Sequence, residues 1–116
     1  MGSSKKDLLC LPASVVDVFG YGLYLAQVGR QHEHSKALRG FGDASVVEIM
    51  ESQAGNAYRA VYTVRFDVAV FVLHVFQKKS KSGIATPKPE RAVIEARLKR
   101  AAEIAEEMDR ELSKNR

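Results

Sequence analysis

The residues of this 116-residue chain that could do chemistry gather near its middle: Arg59 and Arg65 in one β-type run, then His74, Gln77, Lys78, Lys79, Ser80 and Lys81 at the end of the next. Strand ends that deliver Arg, Lys and His onto one sheet surface can hold a phosphodiester and stabilise the charge that builds up when it is attacked. In RNA the 2′-hydroxyl is an internal nucleophile, so such a site needs orientation, cations and a proton acceptor, and no metal. The competing reading is a solvated basic strand end with no chemistry. Face geometry leaves the choice open, because a one-residue change in the turn at 66–70 reverses which side of the third run meets Arg59.

Other constellations are weaker. His32-Glu33-His34 could set two imidazoles on one side of an extended segment, but a third metal ligand is not evident, and exposed loop residues are the plainer reading. The glycines of Gly20-Tyr-Gly and Gly40-Phe-Gly lack the spacing of a dinucleotide or phosphate-binding loop. Glu48 and Glu51 border a strand, which gives no paired-carboxylate hydrolase. The single cysteine, Cys10, excludes an intrachain disulfide and is expected to be a small buried apolar residue. No cofactor and no metal are expected.

The charge is concentrated where the chemistry is. The chain carries a net +4. Its basic excess lies between Lys36 and Lys81, where Lys36, Arg39, Arg59, Arg65, Lys78, Lys79 and Lys81 face only Asp43, Glu48, Glu51 and Asp67. Such a balance suits a polyanionic partner through phosphate neutralisation. It is also common on proteins that bind no nucleic acid. The apolar stretch Val68–Phe76 is far shorter than the ~20 residues of a membrane helix, and Leu8–Leu11 is too short for a secretory signal core. A cytoplasmic protein with no membrane partner is expected.

The elements that must position these residues follow from periodicity. Ser4-Lys5-Lys6-Asp7 has the spacing of a capping box and predicts a short helix. Pro12 suits the start of a second helix, with Val15, Val18, Phe19, Gly22, Leu23 and Ala26 at helical spacing and Gly29 as a left-handed cap. Gly20 and Gly22 inside it point to close approach of helix and sheet. Residues 29–45 read as a loop. Three β-type runs follow, Ser45–Glu51, Tyr58–Phe66 and Ala69–Gln77, the first two joined at Ala54-Gly55-Asn56. In the second run Arg59, Val61, Thr63 and Arg65 share one face. Thr86–Glu90 starts a C-terminal helix with Val93, Ile94, Leu98, Ala101, Ala105, Met108 and Leu112 near helical spacing, frayed over about 106–116. The order implies one α+β domain over 1–116, an antiparallel sheet of three to four strands packed against two N-terminal helices and a C-terminal helix, the helices covering one side.

Several segments in this order, Gly-Tyr-Gly-Leu-Tyr-Leu-Ala-Gln-Val-Gly (20–29), Ser-Lys-Ala-Leu-Arg-Gly-Phe-Gly (35–42), Ala-Tyr-Arg-Ala-Val-Tyr-Thr-Val-Arg-Phe (57–66) and Val-Leu-His-Val-Phe-Gln-Lys-Lys-Ser (72–80), resemble the phage-derived, HigB-like branch of the RelE/ParE toxin superfamily. The resemblance implies a RelE-like fold and a type II toxin that inhibits translation by cutting mRNA, typically on the ribosome and without metal. It implies Arg59 and Lys79 as clamps on the scissile phosphate with Lys78 nearby, and it matches His74 to the family's histidine, either a proton carrier or a packed residue. Lys36 and Arg39 match the family's basic loop and, with Arg65 and Lys81, are candidates for contact with RNA. A helix-turn-helix antitoxin, mRNA and the ribosome are the partners implied, with no small-molecule cofactor. Two other readings stand beside it: a ParE-like inhibitor of DNA gyrase that cuts no RNA, and a degenerate module that only binds its antitoxin.

Overall fold

The computed structural model describes residues 2–41, 45–66, 69–78 and 88–114, with Lys78 described by its backbone alone. Its elements are α1 (Ser4–Leu9), α2 (Ala13–Gln27), β1 (Ser35–Ala37), β2 (Val46–Gln53), β3 (Asn56–Thr63), β4 (Phe71–Lys78) and α3 (Lys88–Lys114). The strands form an antiparallel meander in the order β1-β2-β3-β4. The α+β class and the helix, helix, sheet, helix order are those the sequence predicts. The added strand, β1, lies inside the segment expected to be a loop. Its three residues pair with Val47–Ile49, a ladder too short to leave a period-2 signature.

The expected cap of α2 holds in detail, and the expected close approach of helix and sheet holds at Gly22 but not at Gly20. At the end of α2, Arg30 N–H donates to Leu25 O at 2.7 Å and Gly29 N–H to Ala26 O at 3.2 Å, with Gly29 at φ 80°. This double bond pattern closes the helix through a left-handed residue, which glycine adopts without a Cβ clash. Gly22 faces the sheet so closely that a Cβ there would lie 2.3 Å from Ile49 Cδ1. Gly20, by contrast, faces open space.

Alternation along β3 sends Tyr58, Ala60 and Tyr62 into one core with Val15, Phe19 and Ala26 of α2, together with Ile49 and Val75. The intervening Val61 joins a second core with Val46, Leu73 and, from α3, Ile94 and Ala101. The expectation that the helices cover one side is therefore corrected. α2 covers one face and α3 the other, because both faces of β3 are apolar enough to require a cover.

Other corrections are local. Ser4 sits within α1 and is buried, its Oγ accepting from Arg97 Nη1 at 3.2 Å, so the N-cap position falls to Ser3. Cys10, at the C-cap of α1, is exposed. A six-residue helix has only one inward stripe, and Leu8 occupies it. Arg97 also donates to Leu73 O at 2.9 Å and Ser3 Oγ at 3.3 Å, which binds α1 and α3 together across edge strand β4. One backbone carbonyl of that edge strand is thereby given a partner. No helix among the described residues is long and apolar enough to cross a membrane.

Candidate functional site

The register decides the question of faces. Arg59 stands opposite Met50 on β2 and Phe76 on β4, while Val61 stands opposite Glu48 and His74. Between Val61 and Tyr62 the β3–β4 ladder slips by one residue, leaving Leu73 as the extra residue of a bulge. A bulge puts two consecutive residues on one side of the strand. Leu73 and His74 accordingly both meet the α3 side, whereas Val72 and Val75 pack on the α2 side. Lys36, opposite Glu48 on β1, completes the row. Arg59, His74 and Lys36 thus share the α3 face.

At its centre Arg59 Nη1 donates to Glu48 Oε2 at 3.0 Å, and both side chains lie in the interior, 2% and 0% exposed. A carboxylate removed from water needs a partner of opposite charge to stay ionised. Arg59 supplies it, and Lys36 Nζ, on a half-exposed side chain, stands 4.0 Å from Glu48 Oε1. That oxygen accepts no hydrogen bond among the described residues.

His74 is held by α3. Its Nε2 pairs with the Glu90 carboxylate, and Arg97 Nη1 lies 3.4 Å from its Nδ1. A carboxylate accepts, so Nε2 carries the hydrogen toward Glu90, and Nδ1 faces the Arg97 guanidinium. The imidazole stacks on Phe76 with centroids 4.9 Å apart. Both ring nitrogens are thus engaged inside the fold, the arrangement of a packed histidine.

The remaining candidates divide. Lys78 is the Cα partner of Ala57, so the basic strand end reaches the same end of the sheet as Arg59. Lys79 and Lys81 lie outside the described residues. Arg39 is exposed, and its carbonyl accepts from Arg91 Nη2 at 3.3 Å. Arg65 follows the end of β3, exposed and 5.9 Å from the Phe66 ring centroid. It stands six residues along from Arg59, roughly 20 Å at strand rise, and the fold does not bring the two together. His32 and His34 meet edge-on at 5.0 Å. No cluster of three or more His, Cys, Asp or Glu among the described residues could hold a metal.

Sequence reasoning missed Glu48, Glu90 and Arg97 as members of this constellation. Glu48 carries a signal, an acid inside the apolar run Val46-Val47-Glu48-Ile49. Its meaning appears only once pairing places Arg59 diagonally across. Glu90 and Arg97 carry none, being ordinary charges on a mixed-charge helix until α3 is seated on the sheet.

An antiparallel sheet covered on both faces, with a buried Glu–Arg pair set in one of its two apolar cores, defines an α+β protein with charge inside one sheet face. The model of the phage-derived Gp49-like proteins matches residues 6–99, and the chain belongs to that family. Neither the curated proteins nor the solved structures contain a match to it.

Proposed function

We propose that this chain is the toxin of a type II toxin–antitoxin pair and that it inhibits translation by metal-independent cleavage of mRNA bound to the ribosome. The observation that carries the reading is the register of the α3 face, where Lys78, paired with Ala57, stands diagonal to Arg59, and Lys36 pairs with Glu48, the carboxylate that Arg59 holds. Membership of a phage-derived family related to toxin–antitoxin modules supports it. In this reading the 2′-hydroxyl attacks the adjacent phosphate, leaving a cyclic phosphate and a free 5′-hydroxyl. Arg59 and Lys79 stabilise the charge on the phosphate oxygens, with Lys78 nearby. Lys36, Arg39, Arg65 and Lys81 hold the RNA backbone. Glu48 already occupies one side of the Arg59 guanidinium, so a phosphodiester must share or displace that carboxylate. The partners are a helix-turn-helix antitoxin, mRNA and the ribosome.

The burial of Arg59 favours a second reading, a module that binds its antitoxin and cuts nothing. Inducing the chain and mapping mRNA 5′ ends separates the two. New 5′-hydroxyl ends that vanish in Lys78→Ala/Lys79→Ala support the nuclease. A growth block with intact transcripts overturns it, and a supercoiling assay that traps cleaved DNA then points to the ParE-like reading. Toxicity untouched by Arg59→Ala with Lys79→Ala would show that the proposed site is wrong.

A further inference from the structure

The face of α3 that seals the sheet does not stop where the sheet does. Ile94, Leu98, Ala101, Ala105, Met108 and Leu112 repeat at alternating steps of four and three residues, the spacing of a coiled-coil seam. Ile94 and Ala101 are fully buried against the strands, while Met108 and Leu112 are 37% and 53% exposed. Together with Ile104 they form an apolar strip on the outlying turns of the helix. A strip of this kind in water is unfavourable unless something covers it.

Charge identifies what would cover it. From Lys88 to Arg100 the helix carries five bases and two acids, but from Glu103 to Glu111 it carries five acids and the single base Arg110. Helical geometry sets Glu107 and Glu111 along one border of the strip and Asp109 along the other, with Arg110 on the opposite side of the helix. Arg100, on the Glu107 border, is itself held by Glu103 at 3.0 Å and Glu107 at 4.0 Å. A second copy of α3 laid on this strip would bring acidic borders against acidic borders in either direction, which opposes pairing. A helix with apolar residues at the same spacing and Lys or Arg beside them matches both the strip and its borders.

We propose that the outlying end of α3 is a docking face for a basic amphipathic helix of a partner protein. Ile104, Met108 and Leu112 form the apolar seat, and Glu107, Asp109 and Glu111 select the charge. The inference is independent of the nuclease reading, since it uses none of the residues of the Arg59 face.

The test uses the full chain and synthetic helices about three heptads long. One carries Leu at the seam and Lys at the flanks, a second the same seam with Glu flanks, and a third Lys flanks with Gln at the seam. The Leu/Lys helix should bind, and raising salt to about 0.5 M should weaken it by about tenfold or more. Met108→Ser with Leu112→Ser, and separately Glu107→Gln with Glu111→Gln, should each weaken it by about tenfold or more. Circular dichroism should be unchanged in both. Leu9→Ser, which alters a still more exposed apolar residue on α1, should leave binding as it was. The proposal is overturned if the Glu-flanked or Gln-seam helix binds as tightly, or if the Met108/Leu112 variant binds like the parent. A dimer of the chain that the same variant dissolves would make the occupant a second copy and overturn it equally.

Discussion

On the α2 side of the sheet, Ile49, Ala60, Tyr62 and Val75 meet Val15 and Phe19 in a cluster that holds no charged side chain among the described residues. On the α3 side, Glu48 and Arg59 are buried on the same face as Val61, Leu73 and Ile94. The two faces alternate along the same strands, so the difference does not come from backbone geometry. A buried ion pair is weak grounds for stability, since apolar residues of similar volume do as well or better. The acid of the α2 face, Glu51 opposite Tyr58, keeps a quarter of its side chain exposed, so full burial of charge on the α3 face alone is not explained by packing.

The sharpest way to break this contrast is to remove half of the pair. Glu48→Ala deprives the Arg59 guanidinium of its carboxylate and should destabilise the fold by about 3–5 kcal/mol, while Glu48→Met combined with Arg59→Met should recover most of that loss. Urea unfolding measures both, and a single-variant loss below about 1 kcal/mol would mean that the pair is not buried as described. The α2 face is tested by shape alone. Gly22→Ala drives a Cβ into Ile49 and should cost about 1–3 kcal/mol, whereas Gly20→Ala, two residues away and facing open space, should gain about 0.5–1 kcal/mol. Equal effects at the two glycines would contradict the close approach of α2 to β2.

A smaller effect is expected from the tie between His74 and α3. Glu90→Gln removes the charged partner of the imidazole and should cost about 1 kcal/mol. Faster amide exchange should appear in the first turns of α3 and not in α2; an unchanged exchange pattern would show that the pair does not anchor the helix. The mildest test concerns Tyr62 on the α2 face. Burial, partly opposed by a hydrogen bond with Ser35, raises its phenol above the usual pKa of 10.0. The folded chain therefore holds this proton more tightly than the unfolded one. The resulting stabilisation is complete below pH 10 and is lost as pH rises through the folded value. Tyr62→Phe should flatten the alkaline limb of the stability curve, and an identical limb in the variant would remove Tyr62 as its source.

The α2 face was the more legible one in the sequence. Val15, Phe19, Gly22 and Ala26 announce themselves by helical spacing, and Tyr58, Ala60 and Tyr62 by alternation, because each signal is local. The α3 face depends on pairing over distance. Arg59 could be named from its residue type and from a resemblance, but its partner Glu48 lies across a hairpin register. The side of the sheet that His74 takes depends on a bulge that period-2 counting does not reveal. Cys10 was misread for a related reason: its hydrophobicity suggests burial, and only the shortness of α1 leaves it at the surface.

Arg97 has a consequence for the order in which the molecule can assemble. Its guanidinium holds the Ser4 hydroxyl across a separation of 93 residues. A six-residue helix such as α1 has too few turns to persist on its own in water. During synthesis at about 5–20 residues per second, the Arg97 tie to α1 therefore forms several seconds after α1 itself has been made. The contact between α1 and α3 is thus among the last of the fold to close, and it closes only when Arg97 has been made.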